Sequence, residues 1–178
     1  MRDTILFGDC RQTLKEFDEQ ARMCVTSPPY YGLRDYGGED SQIGQEQTPD
    51  EFIDQLVNVF KEVRNVLTDD GTCWVNLGDS YYNYRPGRGQ GLPKQSVSNT
   101  KQDLPDLCPR RGNRIEGLKE KDLIGIPWLF AFAMRNDGWY LRQDIIWHKP
   151  NPMPESVRDR CTKSHEYIFS VSYTHLTL

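Results

Sequence analysis

The residues best suited to chemistry form the run Ser27-Pro28-Pro29-Tyr30, which follows Thr26 at the end of a short apolar stretch. Two consecutive prolines fix two φ angles, remove two backbone donors and keep the preceding serine out of the helical region. We therefore predict a stiff, extended turn that displays a carbonyl, a hydroxyl and a tyrosine ring at the tip of a strand. These groups could hold a flat nucleobase, because they offer acceptors for an exocyclic amine and an aromatic face for stacking.

A second interpretation treats the two prolines as a linker or as a polyproline ligand for a partner protein. Such ligands normally lie in polar, disordered tracts. Pro28 and Pro29 instead end a strand pattern and lie between two helical patterns. This context favours a site within a folded domain, whereas a protease-sensitive segment between Thr26 and Tyr31 would favour the ligand.

Length and composition indicate one folded domain. The chain has 178 residues, of which 27% are charged and 37% hydrophobic, as in an ordinary globular protein with a single core. No apolar run reaches membrane-spanning length and the N-terminus has no signal-peptide pattern, so we expect a cytoplasmic location. The five cysteines form no CxxC pair, and we therefore expect free thiols and no metal site.

Charge is distributed unevenly along the chain. The net charge is −4, yet residues 85–119 carry eight basic and three acidic side chains, a local excess of +5. This asymmetry suits a protein with one face on DNA phosphates, and a solvated loop with incidental charge is the alternative. The candidate phosphate contacts are Arg85, Arg88, Arg110 and Arg111.

Hydrophobic periodicity predicts an α/β sheet. Alternating strand and helix patterns imply parallel pairing, with an antiparallel pair at the end. The predicted strands are Thr4–Phe7, Met23–Thr26, Thr72–Leu77, Trp139–Trp147 and His165–Val171. The predicted helices are a short one capped by Asp9, an amphipathic one from Thr48 to the run Asp69-Asp70-Gly71, and one from Ile126 to Asn136. The side chains predicted to face inward are Phe52, Leu56, Val59, Phe60, Val63 and Leu67 on the second helix, and Trp128, Leu129, Phe132 and Ala133 on the third.

Polar residues follow three of the predicted strands, where ligands bind in doubly wound sheets. These segments are Gly8-Asp9, Ser27–Tyr30 and Asn76–Ser80, and parallel neighbouring strands would bring them to one edge. Asp9 is a candidate acceptor for the adenine amine of a nucleotide-like cofactor, or simply the cap of the following helix. Asp79 is either a site residue or a turn former.

The chain resembles the DNA amino-methyltransferases, whose active-site loop reads (S/D/N)PP(Y/F). The serine form, preceded by an apolar residue and threonine, is most similar to the N4-cytosine branch. Residues 121–128 resemble the entry to a late helix of these enzymes. Residues 137–156 resemble the strand and base-pocket loop of the permuted branch, in which the catalytic loop precedes the cofactor glycines. The triplet His165-Glu166-Tyr167 is similar to the closing strand of the family.

This resemblance implies a Rossmann-like methyltransferase sheet that uses S-adenosylmethionine and acts on double-stranded DNA, with a cognate restriction endonuclease as a further partner. It implies methylation of cytosine N4, with adenine N6 as the alternative and a non-catalytic DNA-binding fragment as the alternative from another class. The implied catalytic residues are Ser27, Pro28, Pro29 and Tyr30. The implied cofactor contacts are Asp9, Thr26 and Asp79. The implied target-base contacts are Trp147, Lys149 and Asn151, against the alternative that Trp147 is core and Lys149 is solvated.

Two features depart from the family pattern. The chain contains no FxGxG run of the kind that contacts the methionine part of the cofactor, and residues 172–178 do not continue the pattern. We therefore expect residues 1–171 to be a partial catalytic domain, incomplete at the C-terminus, with an inserted basic loop at about 80–118 and a non-native tail at 172–178. Such a chain would bind the cofactor weakly by itself.

Overall fold

The computed structural model describes residues 4–33, 42–82 and 115–174. Within these ranges the secondary structure consists of three helices and four strands, which bear out most of the predicted elements. The helices are α1 (Cys10–Thr13), α2 (Pro49–Val66) and α3 (Ile126–Asn136), and the strands are β1 (Ala21–Thr26), β2 (Leu67–Leu77), β3 (Tyr140–His148) and β4 (His165–Ser172). Most of the predicted basic loop, including Arg85, Arg88, Arg110 and Arg111, lies outside the described residues.

The four strands form one mixed sheet in the order β1-β2-β4-β3. Strands β1 and β2 run parallel, while β4 is antiparallel to both of its neighbours. The predicted antiparallel pair at the end of the chain is confirmed. Strand β3 also carries an irregularity between Leu141 and Gln143, which bends it within its nine residues.

Helix α2 begins as its sequence predicts. Thr48 and Glu51 form a capping box, and Pro49 occupies the first turn, where a missing amide hydrogen costs nothing. The predicted end at Asp69-Asp70-Gly71 is wrong, because the backbone turns extended at Leu67 and that residue already pairs with Ala21 of β1. Pairing with a neighbouring strand therefore converts residues 67–71 into the first half of β2.

Helix α3 has the predicted bounds but a different buried face. Leu129 and Phe132 were predicted to face inward, and they are 38% and 43% exposed. The helix instead packs on α2 through Phe130, whose ring centroid lies 5.1 Å from that of Phe60. The prediction failed because this short helix is apolar nearly all round, so periodicity alone does not fix its orientation. The side chains that it buries are Ile126, Pro127, Phe130, Ala131 and Met134.

The predicted first strand, Thr4–Phe7, is absent, so the predicted β-α-β unit in the first thirty residues is wrong. Ile5 and Phe7 are 77% and 88% exposed. A short β-prone run becomes a strand only when a ladder partner satisfies its backbone, and the sheet that the described residues form does not include this run. Across the described ranges, none of the helices has the length and apolarity needed to span a bilayer.

Candidate active site

The candidate site lies along one edge of the sheet. Thr26 pairs with Val75, so the parallel strands β1 and β2 end side by side. Because β4 is antiparallel to β2 and β3, its first residues lie beside the ends of both, and Trp147 pairs with Glu166. Two of the three predicted polar segments, those after β1 and β2, are therefore neighbours. The third, Gly8-Asp9, follows no strand.

The Ser27–Tyr30 tip is fixed to the end of β2. The Tyr30 hydroxyl lies 3.0 Å from Oδ1 of Asn76, and the Ser27 hydroxyl lies 3.4 Å from the same oxygen. The Tyr30 ring packs so closely on Gly78 that a Cβ there would come within 2.6 Å of its Cε2 atom. Glycine is therefore required next to the ring, and the tip has a defined position against β2.

The Tyr30 hydroxyl also reaches across to β4. It lies 3.0 Å from Oε2 of Glu166, whose other carboxylate oxygen accepts a hydrogen bond from the Lys149 ammonium. The pKa of Glu166 lies below its usual range. Burial alone would raise this pKa, but the hydrogen bonds from Lys149 and Tyr30 outweigh the effect of burial. Burial, reinforced by the Glu166 charge, raises the pKa of Tyr30. At neutral pH an ionised carboxylate therefore accepts from a neutral phenol.

The predicted target-base residues lie at the same edge. Trp147 is 49% exposed and does not belong to the core. The Lys149 ammonium lies 5.3 Å from the centroid of the Trp147 ring, and its ion pair with Glu166 replaces the predicted alternative of a solvated lysine. Asn151 is exposed in the loop that follows β3. An aromatic face is therefore accessible at the edge that holds the Ser27–Tyr30 tip, and the exposed amide of Asn151 follows Lys149 in the same loop.

The predicted cofactor residues Asp9 and Thr26 belong to different elements, because Asp9 precedes α1 and Thr26 ends β1. Asp9 caps α1 by accepting from the Arg11 amide at 2.9 Å, and its carboxylate also accepts from the guanidinium. Those hydrogen bonds hold the pKa of Asp9 below its usual range. Asp9 is therefore an ionised, partly exposed group at the start of α1.

The carboxylate of Asp79 has a different setting. Its Oδ1 atom accepts from the amides of Ser80, Gly125 and Ile126 at 2.9, 3.0 and 3.1 Å. Its side chain is 2% exposed. Asp79 thus supplies the N-terminal cap of α3 that Gly125, which has no side chain, cannot supply. The predicted cofactor contact stays a prediction, and in this structure the residue holds α3 to the sheet.

Glu166 was not among the predicted site residues, and Asn76 was predicted only as the first residue of the polar segment Asn76–Ser80. Asn76 lies near the end of β2, where the alternating residues Cys73, Val75 and Leu77 are fully buried. A polar residue within the apolar run that ends β2 is the signal that could have found it. The role of Glu166 depends on the position of β4 between β2 and β3, a strand order that the sequence pattern does not give by itself.

The fold is shared by solved methyltransferase structures. The TTHA0409 protein of Thermus thermophilus, complexed with S-adenosyl-L-methionine, superposes with a TM-score of 0.59 at 21% identity, over 94% of this chain and 52% of that one. The PvuII DNA methyltransferase superposes with a TM-score of 0.58 at 18% identity, over 94% and 48%. These likenesses establish the Rossmann-like α/β fold of the methyltransferases.

The sequence comparisons establish the family. The N6/N4 methyltransferase family model, described as DNA methylase, matches residues 21–176, and the chain belongs to this family. The chain is 50% identical to the type II methyltransferase M.Cfr9I of Citrobacter freundii over 95% of its length and 54% of that protein. It is 50% identical to M.SmaI of Serratia marcescens over 94% and 55%. The chain thus spans about half the length of these relatives.

Proposed function

We propose that this chain forms the catalytic part of a DNA methyltransferase that modifies N4 of cytosine within a specific duplex site. The observation that carries the proposal is the Ser27–Tyr30 tip, held at the strand-end edge by Asn76 and Glu166. Membership of the DNA methylase family supplies the reaction class. Because the chain spans about half of its relatives, the proposal concerns the activity of a protein with their length.

The tip acts by positioning the amine of the target base. An exocyclic amine is a poor nucleophile because its lone pair is delocalised into the ring. Hydrogen-bond acceptors at Ser27 and at the carbonyls of the tip hold the N–H bonds, so that the nitrogen becomes pyramidal as it reacts. Two prolines fix these acceptors in advance, and catalysis then follows largely from orientation. No activated cysteine is required.

When bound, S-adenosylmethionine would supply an electrophilic methyl group: the amine nitrogen would form the new N–C bond as the S–C bond of the sulfonium breaks, S-adenosylhomocysteine would leave, and the amine would lose one proton to solvent. The residues on the cofactor side fit such a molecule. Asp9 is an ionised carboxylate whose side chain is 40% exposed, so it can accept from the adenine amine. Leu6 and Phe7, 50% and 88% exposed, provide adjacent apolar surface for the adenine ring. Thr26 is half-buried at the end of β1 and directly precedes Ser27 of the tip.

The target base would enter beside Trp147 and Asn151 after extrusion from the duplex. The half-exposed indole offers a stacking face, and the Asn151 amide can both donate to and accept from a base edge. Arg85, Arg88, Arg110 and Arg111 are proposed to contact phosphates of double-stranded DNA. A cognate restriction endonuclease is the proposed biological partner, since both curated relatives are type II methyltransferases.

Cytosine N4 is proposed over adenine N6 because the tip begins with serine rather than aspartate. The PvuII enzyme, which has the same fold, is cytosine-N4-specific. Adenine N6 is the second candidate, because the family includes both reactions. A fragment that binds DNA without catalysis is the candidate from another class, and it would be indifferent to substitutions in the tip.

The test measures methylated nucleosides by mass spectrometry in DNA treated with the protein and S-adenosylmethionine. The chain is assayed as it stands and as a chimera that replaces the matched 169 residues of M.SmaI. We expect N4-methylcytosine from the chimera and its loss in the Ser27→Ala and Tyr30→Ala variants. N6-methyladenine would replace the cytosine assignment by its alternative. A folded chimera that binds DNA without forming either product would overturn the proposal.

A further inference from the structure

The Tyr30 phenol has one proton and two acceptors within reach. Oδ1 of Asn76 and Oε2 of Glu166 both lie 3.0 Å from the hydroxyl oxygen. A hydrogen bond to a carboxylate is about twice as strong as one to a neutral amide. Because Lys149 holds Glu166 in its ionised form, the phenolic proton is directed to Glu166. Oδ1 of Asn76 then remains available to another donor.

The orientation of the Asn76 amide is fixed from the other side. Its Nδ2 donates to the carbonyl of Tyr167 at 3.1 Å, so Oδ1 must face the tip. The hydroxyl of Ser27 lies 3.4 Å from that oxygen and can donate to it. By this hydrogen bond Ser27 gives its proton to the network.

We propose that Glu166 and Asn76 are positioning residues that direct the protons of Tyr30 and Ser27 inward, so that the Ser27 oxygen presents only lone pairs to the target amine. This inference rests on the proposed function and deepens it. Without the two acceptors, the serine hydroxyl can rotate and offer its proton to the amine nitrogen. That contact would occupy the lone pair that has to attack the methyl group. The network therefore selects the one serine rotamer that assists transfer.

Lys149 has a defined part in this arrangement. Its ammonium donates to Oε1 of Glu166 and leaves Oε2 to Tyr30. The two carboxylate oxygens thus divide between a cation from the loop after β3 and the tip after β1. Since the loop after β3 also carries the proposed base contact Asn151, the carboxylate joins the base side of the site to the tip.

A spectroscopic experiment on the chain itself tests the contact without DNA or cofactor. Tyrosines labelled with 13C at Cζ are titrated by NMR, and the Tyr30 signal is assigned by its loss in Tyr30→Phe. We expect Glu166→Gln to lower the pKa of Tyr30 by about one unit, because a negative charge no longer opposes the phenolate. The control is Glu62→Gln, which removes an ion-paired glutamate of α2 that faces Lys15. Equal midpoints in wild type and Glu166→Gln would overturn the proposal.

A kinetic experiment on the chimera tests the positioning role. We expect Glu166→Gln to reduce kcat by a factor on the order of 10 to 100 with little change in KM for DNA, since misplacement of reacting groups slows the chemical step. In the Tyr30→Phe background the same substitution should add nothing, because its effect passes through the phenol. Glu62→Gln should leave kcat unchanged.

The outcomes separate the inference from the proposed function. An equal loss of kcat from Glu166→Gln in the wild-type and Tyr30→Phe backgrounds would indicate a general structural role and overturn the inference. A wild-type chimera that forms no methylated base overturns the proposed function, on which the catalytic part of the inference rests. In that case the NMR titration still decides whether Glu166 holds Tyr30.

Discussion

Two carboxylates lie at the same edge of the sheet, and each faces a lysine. Glu166 binds Lys149 and gives its second oxygen to the Tyr30 side chain. Asp79 lies 3.9 Å from the ammonium of Lys163 and gives one oxygen to three backbone amides. The first carboxylate therefore holds a side chain of the proposed active site, whereas the second holds the start of a helix.

This difference in hydrogen-bond partners indicates the role of each carboxylate. Backbone amides at a helix start are orphan donors that need an acceptor in any folded state, so Asp79 serves stability. The Tyr30 hydroxyl could find solvent if the tip moved, so Glu166 specifies one position of the tip. We therefore expect changes at Asp79 to appear in unfolding experiments, and changes around Tyr30 to appear in methyl transfer.

The largest effect is expected for Asp79→Ala. This change leaves three backbone amides without their hydrogen-bond acceptor. It also leaves the buried Lys163 ammonium without its partner carboxylate. Losing the buried acceptor and the charge partner should lower the free energy of unfolding by about 3 kcal/mol or more. Urea denaturation followed by circular dichroism measures the difference.

Two further variants sharpen that prediction. Asp79→Asn keeps an acceptor oxygen for the amides but removes the charge, so it should lose less stability than Asp79→Ala. Asp159→Ala removes an exposed carboxylate that faces Lys121, and its urea midpoint should stay close to that of wild type. A small loss of stability in Asp79→Ala together with a large loss of methyl transfer would reverse the roles assigned to the two carboxylates.

An intermediate effect is expected for Gly78→Ala. The new Cβ would lie 2.6 Å from Cε2 of Tyr30, so the ring must move away from β2 and from Glu166. Gly78 does not have a left-handed backbone, and the effect is therefore purely steric. We expect kcat of the chimera to fall at least tenfold, with a loss of about 1 to 3 kcal/mol in the free energy of unfolding.

The double variant Tyr30→Ala/Gly78→Ala distinguishes this mechanism from a general disturbance of β2. Without the ring there is no steric conflict, so the double variant should be no less stable than Tyr30→Ala alone. Additive losses of stability in the two single variants would indicate that Gly78 is needed by β2 itself and would contradict the proposed contact.

Much of the fold follows from local signals. The capping box at Thr48 and Glu51, the proline at the start of α2 and the apolar run of β2 are encoded within a few residues each. The Thr4–Phe7 strand and the inward face of α3 were predicted wrongly, because both depend on which neighbours are present. Strand pairing and helix orientation are properties of the assembled layers, and a short apolar segment is compatible with more than one of them.

The candidate site was predictable to the same extent. The proline pair and the aromatic residue after β1 identified the tip, and Trp147 and Lys149 were expected near the target base. Glu166 was not predicted, and Asn76 was predicted only as part of a polar segment, because their individual roles depend on contacts with Tyr30 over sequence separations of 136 and 46 residues. Such contacts require the strand order β1-β2-β4, which no local pattern contains.

The smallest effect is expected for Lys163→Met. This variant tests whether Asp79 needs its lysine as Glu166 needs Lys149. The Lys163 ammonium is buried and has no hydrogen-bond partner among the described residues. Burial lowers its pKa, although the charges of Asp79, Glu166 and Glu155 oppose the shift. Asp79 keeps three amide donors without this lysine. Desolvation should therefore outweigh attraction, and Lys163→Met should raise the free energy of unfolding at pH 7 by on the order of 1 kcal/mol.

The pH dependence of stability gives an independent measure of the same residue. Because the pKa of Lys163 is lower in the folded than in the unfolded protein, the unfolded state binds more protons between the two values. The free energy of unfolding of the wild type should therefore increase as the pH rises from the lowered pKa of folded Lys163 towards 10.5. Lys163→Met should lack this increase. The matched control is Lys61→Met, since Lys61 is half-exposed and lies 3.4 Å from Asp137. Destabilisation by Lys163→Met at pH 7 would mean that Asp79, like Glu166, depends on its lysine.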